Sequence, residues 1–147
     1  MTYRLDGGFG APAAGHSVEM VAPLHMEFVA SPEHVGGARR AVTAFAERLG
    51  IIDTGAVQLA VSEAISNAVI HAYRDRSQPG RVSVAVEHPP DDGLRVTVED
   101  DGCGLVPRSD SPGMGLGLAL VARLAQCLEI STPASGGTRV CMGFARV

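Results

Sequence analysis

Glu63, Asn67 and His71 stand four residues apart, a spacing that stacks three polar groups along one side of an α-helix. The helix that carries them is predicted from Asp53 or Thr54 to Tyr73, and between Asp53 and Arg74 its only formally charged residue is Glu63. At ~100° per residue, Val57, Val61, Ala64, Ile65, Ala68, Val69 and Ala72 form one apolar face, which must meet a sheet. Leu59, Ala60, Ser66 and Ile70 accompany the polar groups on the other side. A wet helix face is normally rich in Lys, Glu and Arg, whereas this one is small and apolar around its three polar groups. A ligand, a loop or a partner is therefore expected to cover it. Zinc chemistry of the HExxH kind would need a second histidine four residues from the first, and that is missing. A hard cation such as Mg²⁺ can still be touched through the amide oxygen of Asn67.

Asp100 ends a second pattern. On the predicted strand Leu94–Asp100 side chains alternate, so Asp100 shares the inward side of Leu94, Val96 and Val98, where an unpaired charge is costly. Glu99 faces outward with Arg95 and Thr97, and Asp101 begins the turn. An inward carboxylate either accepts hydrogen bonds from an amine, such as the exocyclic amino group of a base, or caps the turn. Gly102 and Gly104 let the backbone approach whatever Asp100 binds. The run Gly113-Met114-Gly115-Leu116-Gly117-Leu118 opens a third helix. Free N–H groups at the positive end of that helix would make a phosphate seat, and the same glycines also read as a flexible linker. The run lacks the Gly-Lys-Ser/Thr of a P-loop, and no β-α-β unit surrounds it. Thr138 shares strand parity with Val140, Met142 and Phe144, which turns its hydroxyl inward.

The elements that position these residues follow from periodicity. Leu24–Ala30 alternates as a strand. Ser31-Pro32-Glu33 supplies an N-cap, a first-turn proline and an acid for a helix that Gly50 stops. Strands are predicted at Arg81–His88, Leu94–Asp100, Cys127–Thr132 and Thr138–Arg146, with the third helix from about Leu116 to Ala125. The order β-α-α-β-β-loop-α-β-β predicts an α+β, two-layer α/β sandwich: a mixed, mostly antiparallel sheet with three helices on one face. Residues 1–23 show no periodicity and are read as a flexible N-terminal arm, leaving 24–147 as one domain. A chain of 147 residues can bury roughly 68–70% of its unfolded surface, enough for one core without disulfides. The net charge of −4 argues against direct nucleic-acid binding through a basic face. No apolar run reaches the ~18 residues of a membrane span, and no secretory signal is visible. Cys103, Cys127 and Cys141 are odd in number and far apart, which suits a reducing, cytoplasmic setting.

In order and spacing, Glu63-x-x-x-Asn67, Asp100-x-Gly102-x-Gly104, Gly113-x-Gly115-Leu116-Gly117-Leu118 and Gly137-Thr138 resemble the N, G1 and G2 boxes and the terminal Gly-Thr of the GHKL (histidine-kinase-like) ATPases. The stretch Val61–Tyr73 is most similar to the anti-sigma-factor serine/threonine kinases of the sporulation and stress-response type. The resemblance covers about Leu24 to Val147. It implies the GHKL fold, with ATP and Mg²⁺ as cofactors. Asn67 would hold Mg²⁺, and Glu63 would be the catalytic base for a serine hydroxyl. Asp100 would read the adenine amino group, with Thr138 helping through water. Gly102 and Gly104 would line the base. Gly113, Met114, Gly115, Leu116 and Gly117 would bind the phosphates, under a short lid at 105–112. The implied partners are a STAS-domain anti-anti-sigma antagonist, which is phosphorylated, and a sigma factor, which is sequestered; a homodimer is reasonable for the family.

One position departs from the pattern. Some kinases of the family carry an arginine two residues before the first glycine of the G2 box, and here that residue is Ser111, with Arg108 the nearest cation. Without reach from Arg108, transfer would be slow or absent while ATP binding survives, so a non-catalytic, nucleotide-gated module of the same fold is the competing expectation. The catalytic domain of a histidine kinase would need an upstream helical hairpin with an acceptor histidine, which residues 1–23 are too short and Gly-rich to provide. His71 reads equally as a phosphate contact or as packing. Arg39 and Arg40 read as sigma contacts by analogy or as ordinary surface cations.

Overall fold

The computed structural model describes residues 3–6, 21–73, 77–89, 93–104 and 114–146. In chain order the elements are β1 (Tyr3–Asp6), β2 (Leu24–Val29), a 3₁₀ turn (Pro32–His34), α1 (Val35–Leu49), α2 (Thr54–Tyr73), β3 (Arg81–Glu87), β4 (Leu94–Asp100), α3 (Met114–Leu124), β5 (Cys127–Ser131) and β6 (Thr138–Phe144). The strands form one six-stranded sheet in the order β1-β5-β6-β4-β3-β2, and all five ladders are antiparallel.

Burial with a period of two sorts this sheet into an inner and an outer face. Val82, Val84 and Val86 of β3, Val96 and Val98 of β4, and Val140 and Met142 of β6 all lie inside. The outer face carries ion pairs among half-exposed residues: the Arg139 guanidinium donates to Glu99 at 2.9 Å, and Arg95 lies 4.0 Å from Glu87. An antiparallel sheet with one solvated face needs helices on the other only. The inner face of α2 supplies Val57, Val61, Ala64, Ile65, Ala68 and Val69, packed mainly on β3 and β4, with α1 and α3 flanking it. The two-layer α+β reading therefore holds, with one correction: the sheet expected to be mixed is antiparallel throughout among the described strands.

Local chemistry explains the helix ends. Gly50 takes a left-handed φ of 70° and its N–H returns to the carbonyls of Ala46 and Glu47, closing α1 as expected. Asp53 caps α2, its Oδ1 accepting the Ala56 N–H at 2.8 Å. Three expectations are corrected. Ser31 makes no capping hydrogen bond; Pro32 opens a short 3₁₀ turn and α1 proper starts at Val35. Helix α3 begins at Met114 rather than near Leu116, and Gly117 within it packs closely on Glu63 and Asn67 of α2. The arm assigned to residues 1–23 contains β1, with Tyr3 opposite Ile130 of β5. So short a segment carries no readable period, and its partner lies at the far end of the chain, covering what would otherwise be a bare sheet edge.

Because α2 meets the sheet with one face only, its two sides should respond differently to truncation. Ile65 is fully buried, and Ile65→Ala should cost about 2–5 kcal/mol in chemical denaturation. Leu59 is 44% exposed, and Leu59→Ala should change stability by about 0.5 kcal/mol or less. Equal losses would contradict the placement of the helix.

Candidate functional site

At one end of the helix–sheet interface the apolar packing opens into a small pocket. Val98 and Asp100 of β4 and Thr138 and Val140 of β6 form its floor. Ala64, Asn67, Ala68 and His71 form the α2 wall, and Leu118 of α3 closes the side.

Register produces the polar end of the floor. Asp100 and Thr138 are directly opposed in the β4–β6 ladder, and both are buried, at 5% and 3% exposure. The Gly102 N–H donates to Asp100 Oδ1 at 2.8 Å. The carboxylate thus fastens the turn, the capping role read from the sequence, and also lines the pocket. Thr138 Oγ1 is buried and has no hydrogen-bond partner among the described residues. A buried hydroxyl without a partner is disfavoured by about 1–3 kcal/mol, which a ligand or an ordered water would recover.

Two glycines let the turn sit this close. A Cβ on Gly102 would fall 2.6 Å from the His71 carbonyl oxygen and 2.8 Å from Asp100 Oδ1. Gly137, at φ +80°, lies against the Asp100 carbonyl, where any Cβ would collide. Asp101 turns outward, its Oδ1 accepting the Arg81 N–H at 2.9 Å, and so ties the same turn to β3.

Asn67, Asp100 and Thr138 are therefore brought together around one pocket, with Gly102 and Gly104 in the turn at its edge. Glu63 is not in the pocket wall. It sits one helical turn before Asn67, and both face Gly117 of α3: a Cβ there would lie 2.9 Å from Glu63 Oε2 and 3.2 Å from Asn67 Nδ2. Met114, Gly115 and Leu116 form the first turn of α3, where backbone N–H groups lack intrahelical acceptors. Gly113, Ser111, Arg108 and the expected lid at 105–112 lie outside the described residues. His71 is buried and lines the pocket. The helix side expected to be covered divides: Asn67 and His71 meet the pocket, Ala60 is fully buried, and Leu59 and Ile70 are exposed.

Sequence reasoning missed the wall made by Ala64 and Ala68, which it assigned wholly to the sheet. Their small size beside Asn67 was the available signal, since a larger side chain there would fill the space. It also missed the outward anchor at Asp101, for which a lone acid in a turn gives no signal.

The donor set suits a purine nucleotide. A carboxylate and a buried hydroxyl stand at the base of a slot whose other lining is Ala64, Ala68, Val98, Leu118 and Val140 with Asn67 and His71 on the α2 wall, a set that suits a flat ring with an exocyclic amine. Among the described residues no group of three or more His, Cys, Asp or Glu could cage a metal. Asn67 offers a hard amide oxygen on the pocket wall, which fits Mg²⁺, since that ion takes most of its ligands from phosphates and water. The chain has no lysine, and among the described residues no arginine lines the pocket; the α3 N-terminus contributes the positive end of a helix dipole, and Gly117 in the first turns of that helix faces Asn67.

Comparison with known proteins identifies the family. A family model described as a histidine kinase-like ATPase domain matches residues 28–144. The anti-sigma F factor of Clostridium perfringens (strain SM101, type A) is 29% identical over 133 residues, covering 81% of this chain and 93% of that protein. The anti-sigma F factor of Clostridium novyi (strain NT) is 31% identical over 132 residues, covering 81% and 91%. The crystal structure of the RsbU and RsbW domains of a Mycobacterium tuberculosis protein superposes with a TM-score of 0.65 at 24% identity. It aligns with 85% of this chain, which spans 32% of that longer chain, and the likeness is one of fold. The turn around Asp100, the α2 pair Glu63 and Asn67, and the span of the match together lead to one conclusion: the chain belongs to the histidine kinase-like ATPase family, alongside the anti-sigma F factors.

Proposed function

We propose that this chain is an ATP-dependent protein-serine kinase that acts as an anti-sigma factor by partner switching. Its phosphoryl acceptor would be a STAS-domain anti-anti-sigma antagonist, and its sequestered partner a sigma factor. The observation that carries the nucleotide part is the buried pair Asp100 and Thr138, opposed on adjacent strands, with the Thr138 hydroxyl unsatisfied among the described residues. The anti-sigma part rests on the names of the relatives, which match this chain over most of its length.

Each residue then has a task. Asp100 accepts the adenine amino N–H, a hydrogen bond to a charged acceptor worth about 1.5–3 kcal/mol. Thr138 reaches the ring through water, and the N–H groups of Met114, Gly115 and Leu116 donate to phosphate oxygens. Asn67 would hold Mg²⁺, which when bound neutralises charge on the phosphates. Glu63 takes the proton of the serine hydroxyl as its oxygen bonds to the γ-phosphorus. The bond from that phosphorus to the β–γ bridging oxygen breaks and its electron pair leaves with ADP. Positioning and charge stabilisation carry the rate in such a transfer.

A second reading is a nucleotide-gated binding module without turnover. Ser111 in place of an arginine favours it, and the retained Glu63 opposes it.

MgATP at a hundredfold excess over Kd should stabilise the fold by about 2.7 kcal/mol. In a thermal scan that is several degrees, at about 2–4 °C per kcal/mol. Asp100→Asn should remove most of the shift, and an unchanged shift would overturn the adenine assignment. Glu63→Ala should keep the nucleotide shift and lower transfer to the STAS-domain protein by about 10²–10⁴-fold. A wild-type chain that binds MgATP and transfers nothing would favour the gated module.

A further inference from the structure

Five large hydrophobic side chains are exposed among the described residues, and three of them stand on α2: Leu59 at 44%, Ile70 at 51% and Tyr73 at 56%. On the helical wheel, Leu59, Ser62, Glu63, Ser66, Ile70 and Tyr73 share a sector about 100° wide. α2 is held from below by β3 and β4 and on its flanks by α1 and α3, so Leu59, Ile70 and Tyr73 form a ridge left facing outward, with half-exposed Glu63 at its α3 edge beside Gly117. At about 1.5 Å per residue the ridge runs roughly 21 Å from Leu59 to Tyr73. Its only formal charge is Glu63.

We propose that this ridge is the docking surface for the protein that receives the phosphoryl group. The proposal rests on the kinase reading and deepens it. Continuity with the transfer site names the occupant. Glu63 lies in the same sector as Leu59 and Ile70, so any protein hydroxyl that reaches its carboxylate brings the surrounding surface down on the ridge. Leu59 stands one turn before Glu63, and Ile70 and Tyr73 stand about two and three turns after it. The chemistry of the partner follows. Around its serine it must present an uncharged, largely apolar surface, because a charge pressed on this ridge would be desolvated with no counter-charge except Glu63. Apolar anchors in the middle of such a contact are where binding energy concentrates.

The test uses the full chain, with Leu59→Ser and Ile70→Ser made singly and together, and a purified STAS-domain anti-anti-sigma protein as acceptor. The double variant should raise the KM for the acceptor roughly tenfold or more. Its KM for ATP and its MgATP thermal shift should match the wild type. An unchanged acceptor KM in a double variant whose wild-type parent transfers phosphate overturns the docking surface and leaves the kinase reading standing. So does a double variant that only dissociates a homodimer, seen by sedimentation, with the acceptor KM unmoved. If the wild type transfers nothing, the kinase reading fails by itself. Calorimetric titration of the acceptor against the same variants then reads the ridge directly: roughly tenfold weaker binding upholds it, and equal binding overturns it.

Discussion

A carboxylate buried at the end of an apolar row is the constraint on which the site depends. Asp100 follows Leu94, Val96 and Val98 along the inner face of β4, and at that depth a charge is tolerated only if something donates to it. The Gly102 N–H supplies one donor, and it can do so only because the chain turns at once beneath the His71 carbonyl, where no side chain fits. The antiparallel register then sets Thr138 opposite. What results is a polar notch in a hydrophobic core, open on the side of α2. Shifting the ladder by one residue would turn one of the two groups to the wet face and abolish the notch.

Helix α2 serves two purposes along its length, and its composition shows the compromise. Ile65 and Val61 make the core, while Ala64 and Ala68 leave room for the pocket beside them. Glu63 and Asn67 lean toward α3, which approaches closely because residue 117 is glycine. The glycines at the start of α3 therefore do more than loosen a loop. Gly117 sets the spacing between two helices and keeps the α3 N-terminus near the amide of Asn67. The small residues of both helices and the buried acid of the sheet are parts of a single geometric solution.

Much of this was legible in the sequence, for physical reasons that differ from residue to residue. The period of two in β4 and β6 assigned Asp100 and Thr138 to the same face, and their direct opposition came from a ladder that parity alone cannot register. Gly50 and Asp53 announced the ends of their helices because capping is local chemistry. Ser31 carried the same kind of signal and makes no cap, since the chain first takes a 3₁₀ turn at Pro32. β1 was invisible because its only support is a strand remote in sequence. The tight seats of Gly102 and Gly137 and the outward anchor at Asp101 likewise depend on neighbours that only folding brings near.

The central claim is that the Asp100 carboxylate binds an exocyclic amine. Isothermal titration calorimetry of the wild-type chain, with magnesium present, against ATP and against purine riboside triphosphate, which lacks the 6-amino group, addresses it most directly. The account predicts saturable heat with ATP and at least ~10-fold weaker binding of the analogue, the value of one charge-assisted hydrogen bond. Equal affinity for the two, or no heat with any adenosine nucleotide, would contradict it.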